Sequence, residues 1–111
     1  KGFFWIATRN DVCFDWNQAG ELIDFEDGGN WFATIPEKDW SNLTPDAIAG
    51  IKKDFNGKYG DRRQEIVFIG DKLTMNKDEL IKQLDFCLLN KDEMRWGPEG
   101  WAEKIDDPFE L

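Results

Sequence analysis

Apolar residues fall into short blocks along this chain, separated by polar and glycine-bearing stretches. Phe3-Phe4-Trp5-Ile6-Ala7 is a continuous apolar run rich in aromatics, which predicts a strand covered on both faces. Thr8-Arg9-Asn10-Asp11 supplies turn chemistry. From Val12 to Gln18 the pattern alternates in part, with Val12, Phe14 and Trp16 on one face, and Ala19-Gly20 closes the segment. Glu21 to Phe25 predicts another strand, although Leu22 and Ile23 are adjacent rather than alternating. Glu26-Asp27-Gly28-Gly29-Asn30 predicts a hairpin turn, because glycine and asparagine accept positive φ. Trp31 to Ile35 is then the returning strand, ended by Pro36.

The period changes in the second half. Thr44-Pro45-Asp46 reads as a helix start, with Thr44 as cap and Pro45 in the first helical position, followed by Ile48, Ile51 and Phe55 near helical spacing. Asn56 to Gly60 is loop. Ile66 to Ile69 predicts a central strand with Ile66 and Phe68 on one face and Val67 and Ile69 on the other. Asn76 caps a helix whose Leu80, Ile81, Leu84, Cys87 and Leu88 form one apolar stripe. Asn90 caps a further helix from Lys91, broken at Trp96-Gly97-Pro98 and resumed around Trp101. Hairpin-like connections early and helices late predict an α+β fold, a mostly antiparallel sheet with helices packed on one face. No repeat or linker divides the chain, so residues 1–111 are expected to form a single domain.

Composition narrows the function classes. With 111 residues, 41% hydrophobic and 33% charged, the chain is too apolar for disorder. No apolar run approaches the roughly 20 residues that cross a bilayer. A net charge of -9 speaks against nucleic acid and against an anionic membrane surface as partners. The two cysteines, Cys13 and Cys87, make no disulfide framework and are expected to be buried, reduced thiols of a cytoplasmic protein. The chain opens on Lys1-Gly2-Phe3-Phe4 and enters a strand almost at once, so it is expected to be a fragment of a longer polypeptide.

Candidate chemistry is sparse. There is no histidine, which removes the commonest general base and transition-metal ligand, and with them any hydrolase built on a histidine partner. No G-x-x-x-x-G-K-[ST] is present to cradle a triphosphate. Asp61 and Glu65 could form a glycosidase-like carboxylate pair, with Trp5, Trp16 and Trp31 stacking on sugar rings. Cys13 and Cys87 with carboxylates could assemble a metal site, although they lack the paired spacing of a zinc motif. The run Asp61-Arg62-Arg63-Gln64-Glu65 admits two further readings. It is an internal ion-pair network at the entrance to a strand, or a docking edge whose arginine forks clamp a partner's carboxylates.

Several stretches then become recognisable as a set: "KGFFWIATR" (1–9), "WNQAG" (16–20), "GDRRQEIVFIG" (60–70), "LDFCLL" (84–89) and "EMRWGPEGWAEKIDDPF" (93–109). In this order, over nearly the whole chain, they resemble the C-terminal domain of the CobW family, P-loop GTPases that act as metal chaperones or insertases. The resemblance implies a non-catalytic accessory domain that works by protein contact, with no cofactor of its own. GTP, Mg and a transition metal, Zn or Co, are implied for the parent protein, whose nucleotide and cysteine-rich metal motifs lie in an N-terminal domain outside this sequence. The partners implied are that GTPase domain and a metal-receiving client. Many family members carry histidine-rich segments, which this chain lacks, and the family's domain begins with a strand and helix upstream of "KGFFW". Homo-oligomerisation through an uncovered sheet edge is a further expectation.

Overall fold

The computed structural model describes residues 1–109, and the chain divides into two compact units, Lys1–Val67 and the segment from Phe68 onward. The first unit is built on an antiparallel sheet. Strand β1 (Gly2–Ile6) lies between β2 (Arg9–Ala19) and the two-residue β4 (Glu65–Ile66), and β3 (Leu22–Asn30) flanks β2, giving the order β3-β2-β1-β4. Aromatic cross-strand pairs bind the sheet together. Phe4 stacks on Phe14 directly opposite at 5.7 Å, and Trp16 meets Phe25 edge-on at 5.4 Å. Phe3 and Trp5 alternate to the other face, where they meet Trp31 and Tyr59. Phe14 and Trp31 are the buried apolar side chains of this unit.

Helix α1 (Pro45–Lys53) begins as its sequence dictates: the Thr44 hydroxyl accepts from the Ala47 N–H, and Pro45 takes a position whose N–H would have no helical partner. The second unit contains α2 (Lys77–Phe86), capped by Asn76, and α3 (Lys91–Lys104). Asn90 and Glu93 form a reciprocal capping box at the start of α3, and the backbone leaves the helix at Gly97 ahead of Pro98. Trp101 is fully buried and donates its indole N–H to the Glu93 carbonyl across that break. With a four-stranded antiparallel sheet and three α-helices, the protein is α+β. No helix among the described residues is long and apolar enough to cross a membrane.

Six expectations are corrected. The first turn is only Ala7-Thr8, since Arg9 pairs with Ile6 and Arg9-Asn10-Asp11 already belong to β2. Gly28-Gly29 is not a hairpin turn. β3 runs through it to Asn30, with Val12 opposite Asn30 and Phe14 opposite Asp27, so two glycines face the single residue Cys13 as a β-bulge. Gly29 adopts φ 104°, and a Cβ on Gly28 would lie 2.8 Å from the Asp15 carboxylate. Trp31 to Ile35 is consequently not a returning strand; the chain has already left the sheet and makes a 3-10 turn over Phe32–Thr34.

The apolar run Ile66 to Ile69 is not a central strand either. β4 lies at the sheet edge and continues only as a backbone exchange between Val67 and Lys1, while Val67 and Ile69 are 64% and 92% exposed. Helix α1 ends at Lys53, so Phe55 packs on Trp40 from beyond the helix rather than continuing its stripe. Finally, the cysteines are not both buried: Cys13 is half-buried, and Cys87 is exposed at the end of α2, as are Ile81 and Leu88.

Candidate functional site

The run Asp61 to Glu65 leaves a 3-10 turn (Gly57–Tyr59) through Gly60 and enters β4. Gly60 has φ 67°, and a Cβ there would collide with the Ala33 side chain. That close approach lets Asp61 reach a segment nearly thirty residues away. The two Asp61 carboxylate oxygens accept from the Phe32 and Ala33 amides, both at 2.9 Å, and the side chain is buried. Trp31, the residue that precedes the 3-10 turn, offers no side-chain cap, so Asp61 satisfies the turn's free amides from a distance.

The two arginines point into the same unit. Arg62 donates from Nε to the Asn10 carbonyl at 2.7 Å and from Nη1 to the Tyr59 carbonyl at 3.1 Å, and its Nη2 lies 3.4 Å from Asp11. Arg63 donates from Nε to Glu65 at 2.8 Å and from Nη1 to the Asp61 carbonyl at 2.8 Å; its Nη2 lies 3.3 Å from Asp54, and the guanidinium sits 5.0 Å over the Phe3 ring. Burial works against the Arg63 charge, but the hydrogen bond to Glu65 and the nearby Asp54 and Asp61 outweigh it and raise its pKa. The geometry thus gathers Asp61, Arg62, Arg63 and Glu65 into an internal network, leaving Gln64 exposed and Glu65 accessible beside Arg63. Asn10, Asp54 and Tyr59 complete it. Nothing in the sequence marks these three, because their roles are backbone acceptance and long-range pairing.

Beside this network lies an open cleft of about 330 Å3 lined by Phe3, Cys13, Trp31, Asp54, Asp61 and Arg63 among others. The carboxylates in and next to it already have partners. Both Asp61 oxygens are engaged by amides, Glu65 is engaged by Arg63, and Trp31 is too buried to stack on a sugar. The Cys13 thiol is pushed up to about 11, first by burial and then by the Asp15 and Asp61 charges, so it resists becoming the thiolate that metals require. Cys87 lies in the second unit, where its thiol meets the Gln83 carbonyl at 3.4 Å. Among the described residues no group of three or more Cys, Asp or Glu is placed to hold a metal ion.

Comparison with known proteins gives two positive findings. The family model described as cobalamin synthesis protein cobW C-terminal domain matches residues 1–88. Over all 111 residues the chain is 39% identical to a protein of Dictyostelium discoideum described as zinc-regulated GTPase metalloprotein activator 1. The chain spans 22% of that protein's length. No solved structure matches.

Proposed function

This chain belongs to the cobW C-terminal domain family, and on that premise we propose that it is the non-catalytic contact domain of a cytoplasmic, GTP-dependent metal chaperone. In this reading it packs on a GTPase domain of the same polypeptide and couples nucleotide state to a client that receives the metal. GTP, Mg and the transported metal, Zn or Co, are handled by the rest of the protein; the relative is described as zinc-regulated. The observation that carries the proposal is the 39% identity along the entire chain to one part of a GTPase metalloprotein activator, in a chain with no phosphate-cradling motif of its own.

Within the run that includes Asp61, Arg62, Arg63, Gln64 and Glu65, we assign the nearest contact to the accessible end. Asp61, Arg62 and Arg63 position the loop, and Gln64 with Glu65 meets the partner. The test is deletion of this domain from the parent GTPase, followed by assays of GTP hydrolysis and of metal transfer to the client. Hydrolysis should persist while transfer is lost. Loss of nucleotide binding on deletion, or GTP hydrolysis by the 111-residue chain itself, would overturn the assignment.

A further inference from the structure

The outer edge of β3 is unusually open. All nine of its residues are exposed, and no strand among the described residues pairs with its outer side. Sheet edges of this length are ordinarily blunted by charged side chains, proline, bulges or cover, because their free N–H and C=O groups template pairing with another strand. β3 carries neither lysine nor proline; the Gly28-Gly29 bulge interrupts only its far end, its charges are all acidic, and it displays Leu22 at 78%, Ile23 at 49% and Phe25 at 44% exposure.

Its charge is of one sign. Asp24 and Glu26 share one face with Leu22; Ile23 and Phe25 share the other with Asp27, and β3 contains no basic residue. The register places Asp15 of β2 directly opposite Glu26, with Asn17 opposite Asp24. Like charges directly opposite across a ladder are destabilising, and no ion pair to Asp15, Asp24 or Glu26 is present among the described residues. A second copy of the chain added at this edge would bring further carboxylates to the same place. A strand bearing cations would neutralise them.

We propose that β3 receives, as a fifth strand, an extended segment of another protein in which basic residues alternate with apolar ones. The basic side chains stand beside Asp24, Glu26 and Asp15, and the apolar ones extend the Ile23 and Phe25 row; the backbone supplies affinity and the alternation supplies register. This deepens the contact role proposed above and rests on it. The experiment below reads the edge alone, without nucleotide, metal or client, so each proposal can fail without the other.

The 111-residue protein, isotope-labelled for NMR, is titrated with a peptide of about eight residues alternating lysine and valine. The control peptide has the same composition with the lysines grouped together. The alternating peptide should shift the β3 amides and slow exchange of those facing outward, and the grouped peptide should not. D24N/E26N, which removes the charge at two exposed positions, should weaken binding by about three- to tenfold. The proposal is overturned if the two peptides bind alike, if the shifts fall outside β3, or if the neutral variant binds as tightly as the parent. Concentration-dependent protection of β3 in the free protein would also overturn it, by making a second copy the occupant.

Discussion

At the scale of single residues, Asp61 has the sharpest consequences. Its two oxygens close the Phe32 and Ala33 amides in a site that the Gly60 backbone brings within reach. Removing the carboxylate leaves two donors without partners in a partly dry site, at a cost on the order of 3 kcal/mol. Asp61→Ala should therefore lower the midpoint of urea denaturation substantially, and Asp61→Asn should recover only part, because its amide nitrogen cannot accept. A loss below about 0.5 kcal/mol for both variants would show that water replaces the carboxylate freely. The sequence singles out Asp61 but cannot assign this role, since its partners are backbone amides nearly thirty residues away. Equally, it places Arg62 and Arg63 beside acids without revealing that the Asn10 and Tyr59 carbonyls hold Arg62.

Local rules explain why some elements are legible from sequence and others are not. The starts of α1, α2 and α3 are encoded within four residues each, by Thr44-Pro45, Asn76 and the Asn90–Glu93 box, and the break at Gly97-Pro98 is equally local. Gly28-Gly29 is different, because the same pair of glycines serves a tight turn or a bulge depending on what lies across the ladder. Here Cys13 stands opposite and Asp15 crowds Gly28, so the strand continues. The bulge makes a prediction that a flexible connection would not. At φ 104°, Gly29→Ala should destabilise by about 1–3 kcal/mol in equilibrium denaturation. Gly29→Asn should cost less, because asparagine tolerates positive φ better. Equal, negligible costs for both would mean that the bulge relaxes readily. The run Val67-Phe68-Ile69 misleads for a related reason: apolar composition shows what a strand can bury, whereas the number of neighbouring strands decides whether it does.

For the whole molecule, charge is the property that sequence and structure state together but at different resolution. The sum of -9 is legible at once and speaks against polyanionic partners. Its placement is not legible, because the opposition of Asp15 and Glu26 depends on a register that the bulge helps to set. Concentrating repulsion on one exposed ladder makes stability respond to ionic strength in a defined way. Raising salt from about 0.01 to 0.15 M shortens the screening length from roughly 30 to 8 Å, which should relieve the repulsion and raise the unfolding midpoint. Glu26→Gln should stabilise the protein at low salt by about 0.2–1 kcal/mol and should gain less from added salt. Lys52→Gln, which removes a cation that lies 2.7 Å from Glu37 on a different part of the first unit, provides the contrast. It should lower stability slightly and leave the salt response as steep as before. Equal salt slopes for the parent and Glu26→Gln would show that the repulsion is spread over the surface, and the β3 edge would then lose its claim to be the place where a basic strand is most needed.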